Sequence, residues 1–96
     1  MNTRDYLIKK LKSELSVVEY RRYGDWFLTH IDRLVNNYPF LKIGSSVKAD
    51  IDGEFIGEVH DFHISSSVVC GMGILVDTSY GNVWYYETKE LTEKEL

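Results

Sequence analysis

The sequence predicts an α+β chain of one domain, an N-terminal helical hairpin packed on a small antiparallel barrel. Three observations carry this reading. Apolar residues recur at helical spacing as far as Tyr38, and beyond Pro39 they alternate with a period of two. Pro39 is the only proline, and it disfavours helical geometry in the residue before it. A chain of 96 residues is short for two independent cores, so residues 1–38 and 43–91 read as two layers of a single domain. A composition of 44% apolar and 27% charged residues is that of a folded chain, not a disordered one.

Asn2 or Thr3 caps the first helix, with Asp5 in the first turn where a carboxylate suits the helix dipole. Leu7, Ile8, Leu11, Leu15 and Val18 form its apolar stripe, and Lys9, Lys10, Lys12 and Glu14 occupy the other side. Two breaks are offered, and the favoured reading is a helical hairpin that turns at Gly24-Asp25. Ser16 and Glu19 have capping-box spacing, and Gly24-Asp25 offers a stop followed by a new N-cap. A helix running through Gly24 also keeps register, through Tyr20, Gly24, Phe27, Ile31 and Leu34. The second stripe is Phe27, Leu28, Ile31, Leu34, Val35 and Tyr38.

In the second layer Val47, Ala49 and Ile51 alternate with polar residues, and Asp52-Gly53 is hairpin chemistry. Phe55, Gly57 and Val59 continue one face, then the apolar phase moves to Phe62 and Ile64, which fits a bulge or a bend in a strongly curved sheet. Ser65-Ser66-Ser67 reads as a loop. Val68, Cys70, Met72, Ile74 and Val76 share a strand face, while Gly71 and Gly73 leave the other open to a neighbouring backbone. Asp77–Asn82 reads as a turn, Val83–Glu87 as a fourth strand, and Leu91 as a residue tucked beneath the sheet.

The stretch Ile43-Gly44-Ser45-Ser46-Val47-Lys48-Ala49, Asp52-Gly53-Glu54-Phe55-Ile56-Gly57-Glu58-Val59, Ile74-Leu75-Val76-Asp77, Tyr80-Gly81-Asn82 and Glu90-Leu91 resembles a small SH3-like barrel, most of all a Tudor-type repeat. That resemblance implies an aromatic cage for methylated Lys or Arg, with Phe55 and Tyr80 as walls and Asn82 as a polar contact. The sequence departs from the pattern in its first strand, where Lys48 and Asp50 stand in place of aromatic residues.

Catalytic and metal chemistry is thinly represented. One cysteine excludes an intramolecular disulfide framework and a Cys-only metal site. In His60-Asp61-Phe62-His63 the two histidines face opposite sides of a regular strand, so surface histidines are expected unless a bulge brings them together. Cys70 lies within an apolar alternation and reads as a small core residue, not a nucleophile. Gly71-Met72-Gly73 precedes a strand and lacks the lysine of a phosphate loop. No cofactor, no metal and no enzymatic activity are expected.

Charge is uneven along the chain. Residues 1–40 carry +2 and residues 41–96 carry −6, which gives the formal net charge of −4. This disfavours duplex nucleic acid. Lys9, Lys10, Lys12, Arg21, Arg22 and Arg33 are the basic concentration, interleaved with Tyr20, Tyr23 and Trp26. Tyr, Trp and Arg are the side chains that dominate protein–protein hot spots. The expected partner-binding residues are therefore Tyr20, Arg21, Arg22, Tyr23 and Trp26, with Trp26 covered either by the barrel or by the partner. An acidic barrel surface of Asp50, Asp52, Glu54, Glu58 and Asp61 suits a basic groove on another protein. The expected function is a non-enzymatic protein-binding module, an inhibitor or adaptor. In composition it resembles phage-encoded inhibitors of bacterial defence or nucleic-acid-handling proteins. The alternative is single-stranded nucleic-acid binding through the basic aromatic helical face. No membrane span and no signal-peptide core follow Met1-Asn2-Thr3-Arg4-Asp5, so a soluble cytoplasmic protein is expected.

Overall fold

In a computed structural model of the chain, residues 2–39, 41–50, 54–67, 69 and 71–92 are described, the side chains of 50, 54–56 and 87–92 excepted. Two helices, α1 (Thr3–Glu14) and α2 (Val17–Asn37), precede five strands: β1 (Ser46–Asp50), β2 (Glu54–Ser67), β3 (Gly71–Thr78), β4 (Gly81–Trp84) and β5 (Thr88–Thr92). A 3₁₀ turn, Tyr85–Glu87, links β4 to β5. The strands form one antiparallel sheet in the order β4-β3-β2-β1-β5. The fold is α+β. Among the described residues no ladder joins β4 to β5, so the sheet is open where a closed barrel was expected.

The helices divide at Ser16. The Ser16 hydroxyl accepts from the Glu19 N–H, and the Glu19 carboxylate accepts from the Ser16 N–H at 3.0 Å, a complete capping box. Gly24-Asp25 is neither stop nor cap: α2 runs through it, and Gly24 lies buried against the Tyr20 ring. About two helical turns before Gly24 and more than three after it outweigh the modest cost of one glycine. Val18 correspondingly leaves the first stripe and stands exposed in the opening turn of α2.

β2 is bent. Glu58 still faces Ser46 of β1, whereas from Val59 onward the strand pairs with β3, and the register shifts between Val59 and Asp61. The extra residue is His60. The shift puts Val59, Phe62 and Ile64 together in the core, as the change of apolar phase predicts. Ser65, Ser66 and Ser67 are not a loop but the end of β2, opposite Gly73, Met72 and Gly71. Cross-strand pairing overrides the turn preference of serine there. The opening made by Gly71 and Gly73 admits a ring, not a backbone: a Cβ on Gly73 would stand 2.9 Å from Trp84 Cζ3. The expected fourth strand ends at Trp84 and yields to the 3₁₀ turn. Val68, Cys70 and the Asp52-Gly53 turn lie outside the described residues, as does the Leu91 side chain, although Leu91 pairs with Val47.

One core joins the layers. Leu7, Leu11 and Leu15 of α1 meet Phe27, Ile31 and Leu34 of α2 and the inner residues Val47, Val59, Phe62, Ile64, Ile74 and Val76. Full burial of each large apolar side chain contributes about 1.5–3 kcal/mol. Polar contacts then set how α1 lies on β2. Past the bulge the Phe62 and Ile64 N–H groups donate to carboxylates, to Asp61 Oδ1 at 2.8 Å and to Glu14 Oε2 at 2.6 Å. Asp61 also accepts from the Tyr6 hydroxyl and, at 3.2 Å, from Lys10 Nζ. The Ser66 hydroxyl donates to Glu19. His63 lies between Glu14, 3.7 Å from Nδ1, and Asp77, 3.5 Å from Nε2.

Two measurements test this arrangement. Gly24→Ala should stabilise the chain by about 0.5–1 kcal/mol in urea melts, because its new methyl would sit 3.5 Å from Tyr20 in ordinary contact. A helix stopping at Gly24 would instead lose stability. Partial burial raises the Asp61 carboxyl, but hydrogen bonds from Tyr6, Phe62 N–H and Lys10 outweigh it and hold Asp61 below the ordinary value. A depressed carboxyl stabilises above its unfolded value of about 3.9, and that contribution disappears as the pH falls through the folded value. Asp61→Asn should therefore be less stable than wild type at neutral pH, with the gap closing in melts taken at progressively more acid pH.

Candidate interaction surface

The expected partner-binding residues occupy consecutive positions on α2, and helical geometry separates them, at about 100° per residue. Tyr20 and Tyr23 pack against the core, which takes Tyr20 out of any open surface except along one edge. Arg21 points to the flank nearest α1. Arg22, Tyr23 and Trp26 lie towards the opposite flank, where His30 and Arg33 continue the row.

That second flank is a strip of rings. The Arg22 guanidinium stands 6.0 Å from the centre of the Tyr23 ring. Trp26 meets Phe27 edge-on at 5.0 Å and stacks on His30 at 3.7 Å. The His30 Nδ1–H donates to the Trp26 carbonyl at 2.8 Å, which fixes the imidazole in that stacked position. His30 then meets Tyr85 of the 3₁₀ turn, Tyr85 meets Tyr86, and Tyr86 stacks with Trp84 at 5.9 Å. Burial raises the Tyr85 hydroxyl, and Arg33 pulls against that shift from close by. Phe27, Trp26, His30, Tyr85, Tyr86 and Trp84 thus form one chain of six rings from helix to sheet edge. Trp26 is half-buried: the core and His30 cover part of it, and its remaining edge is open.

His30, Trp84, Tyr85 and Tyr86 were not singled out for partner binding from the sequence. A signal existed in the run Trp84-Tyr85-Tyr86, because three successive large rings cannot all face the core of one strand. The place where they meet α2 has no sequence signal.

The basic concentration is divided in the same way. Lys10 leaves it altogether, bonding to Asp61 and lying 3.7 Å from Glu14. Burial would lower the Lys10 ammonium, but Asp61 more than compensates and raises it. Asp61, counted among the acidic surface, serves to hold α1. Glu58 is half-buried in β2, and its N–H donates to Ser79 Oγ at 3.1 Å. The side chains of Asp50, Glu54 and Phe55, and the whole of Asp52, lie outside the described residues.

Tyr80 is 73% exposed in the β3–β4 turn, with Cδ2 3.2 Å from where a Gly57 Cβ would stand, and Asn82 is exposed in β4. Lys48 is half-buried in β1, at the position where the Tudor resemblance would want a ring. His60 is exposed at the bulge, apart from the carboxylates that flank His63. Among the described residues no group of three His, Cys, Asp or Glu is placed to hold a metal ion. No helix there is long and apolar enough to cross a membrane.

No protein family, curated protein or solved structure matches this chain.

The stacking at Trp26 predicts the result of removing it. Trp26→Ala should cost about 1–2 kcal/mol in a thermal or urea melt, less than the ~3–5 kcal/mol of a fully buried aromatic. A loss at the upper figure would mean that the ring is wholly internal.

Proposed function

We propose that this chain is a non-enzymatic protein-binding module, an inhibitor or adaptor, that engages its partner through the ring strip flanked by Arg22 and Arg33. The single observation that carries the reading is the continuity of Trp26, His30, Tyr85 and Tyr86 across two separate elements. Arg22 and Arg33 stand exposed beside it, with no carboxylate partner among the described residues. Rings held by packing lose little freedom on binding, and Tyr, Trp and Arg in one patch have hot-spot composition. Tyr86, 58% exposed, supplies apolar area that folding alone leaves uncovered.

The SH3-like description of the sheet belongs to the same proposal. The strand order, the bend in β2 and the short 3₁₀ turn before β5 support it. A methyl-ligand cage has less support, since Lys48 takes the place of a first-strand ring.

A second reading has an observation of its own. Stacked pairs between two arginines are also what single-stranded nucleic acid uses, base on ring and phosphate on guanidinium. The net charge of −4 counts against it.

A pull-down from source lysate with wild type, followed by affinity measurement on the recovered partner, tests the first reading. Arg22→Ala and Trp26→Ala should each weaken binding by about 2 kcal/mol, near thirtyfold. Unchanged affinity in both would place the interface elsewhere. Titration of labelled single strands at two salt concentrations tests the second: micromolar affinity that falls with salt and disappears in Arg22→Ala would put nucleic acid first.

A further inference from the structure

The opposite flank of α2 holds a second feature, at the corner where α1 turns into α2. Lys12, Leu15, Ser16, Val17, Tyr20 and Arg21 line an open groove of about 280 Å³. Its walls are apolar, from Leu15, Val17 and Tyr20, and its rim is cationic, from Lys12 and Arg21. Among the described residues none that lines it is acidic. The two carboxylates adjoining the lining in sequence are already engaged, Glu14 by the Ile64 N–H and Lys10, and Glu19 by the Ser16 N–H and the Ser66 hydroxyl. Lys12 and Arg21 have no carboxylate partner among the described residues.

Exposed apolar surface adjoins the groove. Val17 is 70% and Val18 68% exposed, in the first turn of α2. Scattered exposed apolar residues need no explanation, but Val17 is itself a wall of the cleft, so its exposed surface is continuous with the groove. At about 280 Å³ the groove is at the lower end of the ~300–1,000 Å³ typical of ligand sites, with room for one or two inserted side chains.

We propose that this corner is a docking groove for an acidic peptide segment of a partner protein, with an aliphatic or aromatic anchor between Leu15, Val17 and Tyr20. Carboxylates flanking the anchor meet Lys12 and Arg21. Charge complementarity selects the occupant, since a cationic rim on an apolar cleft repels basic segments and leaves neutral ones without polar contacts. This inference rests on reading the chain as a protein-binding module, but on residues separate from the ring strip.

The test uses the full chain and a fluorescein-labelled, amidated peptide of sequence Ser-Asp-Glu-Leu-Phe-Asp-Glu-Gly, read by anisotropy at low and at physiological salt. Saturable binding is expected, weaker at the higher salt, and absent for the same peptide with its carboxylates replaced by amides. Arg21→Glu and Val17→Asp should each weaken it about tenfold or more. Both positions are exposed, and circular dichroism with a urea melt confirms that the variants fold; Arg21→Ala gives a milder check of the same sign. Arg22→Ala and Trp26→Ala should leave peptide affinity unchanged, which separates this groove from the ring strip. No saturable binding, or equal binding by Arg21→Glu, overturns the proposal. So does loss of binding in Trp26→Ala alone, which would move the peptide to the other flank. Labelled oligo-dT or phosphatidylserine vesicles that displace the peptide and depend on Arg21 would also overturn it, by assigning the rim to a different class of partner.

Discussion

The bend in β2 is the constraint on which the rest of the structure depends. A strand that changes neighbours at His60 serves β1 along its first part and β3 along its second, so one segment organises both ends of the sheet. The change has a cost. Past the bulge, backbone N–H groups on the side away from β3 have no strand to bond to, and unpaired backbone edges invite foreign strands. Glu14 answers this directly by accepting from Ile64 N–H, and Asp61 accepts from Phe62 N–H while drawing in Tyr6 and Lys10. The helix that covers the edge is thus fastened by the same groups that satisfy it.

Fastening α1 has consequences for α2. With α1 fixed on β2, the Ser16–Glu19 capping box sets where the chain turns, and Glu19 also receives the Ser66 hydroxyl at the far end of β2. The Arg4–Asp32 pair at 2.9 Å ties the other end of the hairpin, though an exposed pair of this kind contributes little. α2 then has one face in the core and two flanks outside it. One flank meets the 3₁₀ turn and becomes the ring strip. The other faces the α1 corner and becomes the cationic groove. Both candidate surfaces are products of how a single amphipathic helix is seated.

That seating explains why a row of neighbouring residues did not make one site. Tyr20, Arg21, Arg22 and Tyr23 are adjacent in sequence, but a helix distributes four consecutive side chains around its whole circumference. Tyr20 and Tyr23 went to the core, Arg21 to one flank and Arg22 to the other. Lys10 and Asp61, each reasonable as a surface charge, neutralise one another across the α1–β2 contact. Composition identifies residue types suited to recognition. It does not say which of them share a surface.

The sequence by itself determined the local features whose causes are local. Periodicity placed the helical layer before Pro39 and the strands after it, the change of apolar phase at Val59–Phe62 marked the bulge, and Ser16 with Glu19 carried the capping box. Where two local signals competed, the surrounding structure chose: Gly24 stayed helical because the hydrogen-bonded turns on both sides of it outweigh the cost of one glycine, and Ser65–Ser67 became strand because Gly71–Gly73 pair with them. Only the tertiary structure could bring His30 to Tyr85, or Glu14 to Ile64, since fifty or more residues separate each pair and no spacing rule reaches that far. Such contacts are set by the angle at which the helices lie on the sheet. That angle depends on the summed packing of the core and the hydrogen-bond needs of one bent strand, and neither can be read at any single position.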